Sequence, residues 1–135
     1  MSQISGPLLD RIDIHIEVSQ IKYNNLESSE IPESSEKIRE RVNRARSIQV
    51  ERYKKYKIFS NAELTPKLIE KYCKLDDVSK DILEKAFDKL GLSARAYSRI
   101  LKVARTIADL EQGENIKPKH IAEAIQYRHL DKKYF

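Results

Sequence analysis

The 135-residue chain has one cysteine, no tryptophan, three glycines and four prolines. A single thiol, Cys73, excludes an internal disulfide and any cysteine-built zinc site, and suits a reducing compartment. Glycine and proline together stand at about half of average usage. Few tight turns and a mostly helical fold are therefore expected. No apolar run approaches the roughly 20 residues that span a bilayer, and no short apolar segment follows a basic N-terminus. These absences predict a soluble cytoplasmic chain with no membrane partner.

What is present is charge. Asp, Glu, Lys and Arg make up 35% of the residues, apolar types 40%, and the formal net charge is +5. That apolar content supports one packed domain or part of one, and disfavours disorder. The basic charge is concentrated. Between positions 36 and 57 stand Lys37, Arg39, Arg41, Arg44, Arg46, Arg52, Lys54, Lys55 and Lys57 against three glutamates.

Residues Ile12 to Val18 alternate apolar and polar, with Ile12, Ile14, Ile16 and Val18 on one face, which predicts a half-buried strand. Nothing else alternates over a comparable length, and a lone strand cannot satisfy its own backbone groups. Its sheet is expected elsewhere, which reads the chain as the C-terminal part of a longer protein; pairing with a short extended piece near Ile21 to Tyr23 or Ile58 to Phe59 is the alternative. Residues 19–35 are rich in Ser and Glu and contain Pro32, the composition of a connector.

Helical signals dominate beyond it. Ser35 is a cap for a helix reaching Tyr56, with Ile38, Val42, Ala45, Ile48 or Gln49, and Tyr53 as its apolar stripe. Thr65-Pro66 opens a short helix through Cys73. Asp77 starts another, carrying Val78, Ile82, Leu83, Ala86, Phe87 and Leu90, which Gly91 ends in a left-handed conformation. Ser93 caps a fourth that presents Tyr97, Ile100, Leu101, Ala104, Ile107 and Ala108. Pro118 opens the last, with Ile121, Ala124 and Ile125 inward. Five one-stripe helices predict a small bundle.

Signatures of complete catalytic sites are scarce. There is no glycine-rich phosphate loop, no metal-ligand spacing, and no Ser or Cys placed to be activated by a histidine. The chain alone is expected not to be catalytic. His15, His120 and His129 read as solvated or locally bonded, and Cys73 as a core thiol. In the basic helix Arg44, Arg46 and Lys54 are candidate nucleic-acid contacts, with Tyr53 and Tyr56 as stacking surfaces, and a plainly solvated face is the competing reading.

Two segments rise above this background, S-G-P-L-L-D-R-I-D-I-H-I-E-V at 5–18 and G-L-S-A-R-A-Y-S-R-I-L-K-V-A-R-T-I-A-D-L at 91–110, followed by H-I-A-E-A-I-Q-Y-R at 120–128. In that order they resemble the C-terminal portion of the bacterial magnesium-chelatase-like AAA+ ATPases, the family of the competence protein ComM and the magnesium chelatase ATPase subunit. The resemblance implies a mainly α fold, a small helical bundle forming the AAA+ lid at 36–135, preceded by a linker at 21–35 and by one strand left over from the α/β nucleotide-binding core at 1–20. It implies ATP and Mg²⁺ as cofactors of the full-length protein, with none expected bound to this piece, and a homo-oligomeric ring, a hexamer, whose work is coupled to a partner such as DNA.

The resemblance also assigns residues. Arg11 matches an arginine finger that reaches a neighbouring subunit's nucleotide, where a planar guanidinium meets charge spread over γ-phosphate oxygens. A salt bridge with Asp10 or Asp13 is its structural alternative. Arg95 matches the sensor-2 arginine, near a helix N-terminus where the helix dipole favours anions rather than cations, so an anionic ligand explains it better than the helix does. Arg99 and Arg105 match less diagnostic positions, structural or partner-facing. The other class of reading is a free-standing basic helical module that binds nucleic acid without nucleotide chemistry.

Overall fold

The computed structural model describes residues 13–14 and 32–128. Among the described residues five α-helices follow one another: α1 (Ser35–Tyr53), α2 (Pro66–Tyr72), α3 (Asp77–Leu90), α4 (Ala94–Leu110) and α5 (Pro118–Gln126), with single 3-10 turns at Lys54–Tyr56 and Asn61–Glu63 between α1 and α2. The expected helical bundle is present. The expected strand at Ile12 to Val18 finds no support: most of it lies outside the described residues, and Asp13 and Ile14 are an exposed bend and irregular chain. No strand occurs among the described residues.

Local chemistry sets the helix ends. Ser34, one residue before the expected cap, is extended, and its hydroxyl accepts from the Lys37 N–H at 3.2 Å. Thr65 accepts from Leu68, with Pro66 at the first helical position. Asp76 accepts from Ser79 at 2.7 Å, a bond that holds its carboxyl below the usual range. Ser93 accepts from Ala96 at 3.1 Å. Each such cap is worth about 1 kcal/mol. Gly91 ends α3 with φ 62°, where a side chain would be strained, and its N–H returns to Phe87 O. Before α5 no hydroxyl does this, and the imidazole Nδ1 of His120 accepts the Lys117 N–H at 2.9 Å.

Helix α4 is the central element, packing on α1, α2 and α5, while α3 packs on α5. Its Ala96, Ala104 and Ala108 are at most 1% exposed, and these small side chains let neighbouring helices approach closely. Ile100 on α4, Tyr53 on α1, Leu83 on α3 and Ile121 on α5 form the centre of the core with Leu64, Ile69, Cys73 and Leu101. Truncating the fully buried Ile100 to Ala costs about 2–5 kcal/mol. Only the C-terminal half of α1 joins this core, through Ala45, Gln49 and Tyr53, because Ile38 and Val42 remain exposed. Val78 and Tyr97, read as inward from their spacing, are likewise exposed.

Candidate functional site

Arg95 stands in the first turn of α4, exposed, and no ion pair or hydrogen bond engages its guanidinium among the described residues. The amides of Ala94 and Arg95 precede the start of the helical ladder, where the helix favours an anion. A cleft of about 510 Å³ between α3 and α4 is lined by Lys80, Leu83, Glu84, Phe87, Ala94, Tyr97 and Ser98, and Arg95 is not among its lining residues. The Phe87 and Tyr97 rings meet edge to face in it, with centroids 6.3 Å apart.

Arg11 lies outside the described residues, as do His15 and His129. Asp13 is described, and its carboxylate is engaged by Arg99 of α4.

Arg105 is structural. Its guanidinium donates to the carbonyls of Gly113 at 2.8 Å and Glu114 at 3.1 Å, holding the α4–α5 connection, and lies 3.1 Å from Asp109. Asp109 is the hub of a buried polar cluster. It accepts from Arg52 at 2.7 and 3.0 Å and from Asn61 Nδ2 at 3.0 Å, while the Tyr53 hydroxyl donates to Asn61 Oδ1 at 2.6 Å. Burial pulls the Arg52 pKa down, but hydrogen bonds to Asp109 and Tyr53 outweigh it and hold the group above its ordinary value. None of these partners stands within one helical turn of Asp109 except Arg105, so spacing carries no signal of the cluster.

Of the candidate nucleic-acid contacts, Arg44 and Arg46 are exposed on α1 and pair with no described residue, whereas Lys54 is bonded to Glu51 at 2.8 Å. Arg52 is spent on Asp109, and Arg41 on Glu33. Tyr53 offers no stacking face, being fully buried. Tyr56 does better: it is half-buried, Lys55 and Lys71 sit over its ring at 5.2 and 5.7 Å, and Lys71 Nζ donates to its hydroxyl at 2.9 Å. The bond from Lys71, then that from Tyr72, pulls the Tyr56 phenol down to about 8.

His120 is locally bonded, as its sequence context suggests. Because Nδ1 accepts from the backbone, Nε2 carries the proton and donates to Glu111 at 2.7 Å. Cys73 is a buried thiol. No group of three or more His, Cys, Asp or Glu that could hold a metal occurs among the described residues. No helix among them is long and apolar enough to cross a membrane.

A bundle with this central helix, an arginine in its first turn and the motifs at 91–110 and 120–128 is of the magnesium-chelatase-like AAA+ type. Residues 32–128 match the family described as magnesium chelatase, subunit ChlI C-terminal, and the chain belongs to that family. It is 48% identical over 129 residues to the competence protein ComM of Haemophilus influenzae, covering 95% of this chain and 25% of that protein. It is 40% identical over 133 residues to YifB of Escherichia coli, covering 98% and 26%. A more distant relative, Mb2921c of Mycobacterium bovis, is 28% identical over 128 residues, 95% of this chain and 25% of its own length. The chain thus spans about a quarter of the curated relatives it matches.

Proposed function

We propose that this chain is the C-terminal helical lid, with the finger-bearing turn before it, of an ATPase that works as a homo-oligomeric ring, a hexamer, in the cytoplasm. Residues 1–20 are assigned to the nucleotide-binding core, 21–35 to a linker and 36–135 to the lid. The observation that carries the reading is Arg95, an exposed arginine in the first turn of the central helix with no partner among the described residues to neutralise it. Family membership and the similarity to ComM support it.

In this reading ATP and Mg²⁺ bind the full-length protein, and the phosphate-cradling loop and metal ligands come from outside this chain. The positive charge of Arg95 and the start of α4 both favour an anionic ligand such as a phosphate. Arg95 orients the phosphates and answers their charge. Arg11 contributes from an adjacent subunit, its planar fork answering the charge that spreads over the γ-phosphate oxygens in the transition state. Hydrolysis is coupled to remodelling of a partner, with DNA as the candidate.

The test is the full-length protein. Arg11→Ala should lower turnover about a thousandfold with nucleotide binding nearly intact, since a finger acts on the transition state. Arg95→Ala should lower both binding and turnover. Full activity in both variants would sink the reading. The isolated chain should bind MgATP only weakly, and a dissociation constant in the low micromolar range would contradict an incomplete site.

A basic module that binds nucleic acid without nucleotide chemistry is the second reading, favoured by one observation, the exposed Arg44 and Arg46 on α1, which pair with no described residue.

A further inference from the structure

Asp13 and Arg99 are 86 positions apart, and the guanidinium of Arg99 donates to the Asp13 carboxylate. The Arg99 side chain is 27% exposed, and its Nε is buried with no partner among the described residues, so packing holds the stem while Nη1 reaches Asp13. The next residue, Ile14, borders a cleft with Val103, Thr106, Ile107 and Leu110 of α4 and Tyr127 after α5. One dipeptide therefore pairs with α4 through its charge and borders a cleft on the same helix through its apolar residue.

The positions of the two partners give this contact its meaning. Asp13 follows Arg11 by two residues in the chain. Arg99 follows Arg95 by one turn of α4, on the same side. Arg95, Arg99 and Lys102 crowd positive charge on that side, and Asp13 neutralises the middle one. Among the described residues, Arg95 is left as a cation without a counter-charge.

The geometry points to Arg99 as a positioning residue: through Asp13, two residues after the finger candidate in the sequence, it ties that part of the chain to the helix that carries the sensor candidate. This rests on the ATPase reading above. An ion pair this exposed adds little to stability. Its effect is on orientation, because it links segments 86 residues apart and small misplacements of catalytic groups cost large factors in rate.

The experiment is steady-state ATP hydrolysis by the full-length protein carrying Arg99→Ala, Asp13→Asn, Arg99→Lys and the double exchange Asp13→Arg with Arg99→Asp, beside Arg11→Ala and Arg95→Ala. Arg99→Ala and Asp13→Asn should each lower kcat about tenfold with KM for ATP changed less than about twofold. Arg99→Lys should retain more activity than Arg99→Ala, and the double exchange should recover activity over a single charge reversal at either position. The losses of Arg99→Ala and Asp13→Asn should not add when combined. Normal kcat in Arg99→Ala, additive losses, or an exchange no better than its single reversals would overturn the proposal. If Arg11→Ala and Arg95→Ala are inactive while Arg99→Ala is normal, the proposal alone fails. If Arg11→Ala and Arg95→Ala are fully active, the ATPase reading fails and takes the proposal with it.

Discussion

Arg52 at the end of α1 and Asp109 at the end of α4 meet through two parallel hydrogen bonds of 2.7 and 3.0 Å, with the Asp109 side chain fully buried. This pair joins the first helix to the central one. It also takes one cation of the basic stretch out of any role at the surface.

Removing the carboxylate leaves Arg105, whose side chain is 5% exposed, and Arg52 without their counter-charge. Asp109→Ala should therefore destabilise the chain by about 3–5 kcal/mol, measured by urea denaturation. Arg105 keeps its two carbonyl acceptors, so the connection between α4 and α5 should persist in whatever remains folded. A loss under about 1 kcal/mol would show that the cluster is not holding α1.

Tyr56 should ionise before Tyr53 and Tyr72, both held above their ordinary value. With its phenol pulled down to about 8 by the bonds from Lys71 and Tyr72, the phenolate is favoured in the fold and forms as pH rises through that value, while Tyr72, whose bond to Tyr56 pushes it up, follows later. An ultraviolet titration should show one tyrosine's amplitude near pH 8. Tyr56→Phe should abolish that step, and Lys71→Ala should move it upward. A single transition near pH 10 for all tyrosines would refute the assignment.

Burial pushes the Cys73 thiol up to about 11, against the smaller opposing influence of Arg105 and Arg52. At pH 8 only about a thousandth of it is thiolate. Reaction with a thiol reagent such as DTNB should be slow in the folded chain and accelerate sharply in denaturant. Rapid labelling without denaturant would mean that the α2 region opens readily.

The basic helix separates the two classes of function. If α1 tracks a nucleic-acid backbone, the chain should bind DNA with a steep salt dependence. Replacing Arg44, Arg46 and Lys54 by Ala should then weaken binding and flatten the slope of log K by about 0.9 for each duplex phosphate no longer neutralised. With Lys54 already bonded to Glu51 and Arg52 to Asp109, we expect feeble binding insensitive to the triple replacement. Tight binding at physiological salt that collapses in the triple variant would favour the nucleic-acid module.

The sequence by itself determined where four of the helices begin and where α3 ends, because caps and breakers act over four residues or fewer; with no breaker at its end, α1 stops at Tyr53 rather than at the expected Tyr56. Thr65-Pro66, Ser93, Gly91 and Pro118 are such signals, and each helix limit lies where they put it, within about a residue. The motif around Arg95 was legible in the same way, and so was its placement in the first turn of a helix. Spacing misjudged Ile38, Val42, Val78 and Tyr97, since an apolar stripe shows that a face can be buried but not that a neighbour reaches it. Only the tertiary structure decided which charges are spent and which stay exposed. Arg44, Arg46 and Arg52 look alike along α1, yet of these three only Arg52 meets a described carboxylate, 57 residues away. Asp13, which stands nearer Arg11 in the chain, is taken by Arg99, 86 residues away. A charged side chain finds its partner in space, and packing of the helices, not the order of residues, brings those partners together.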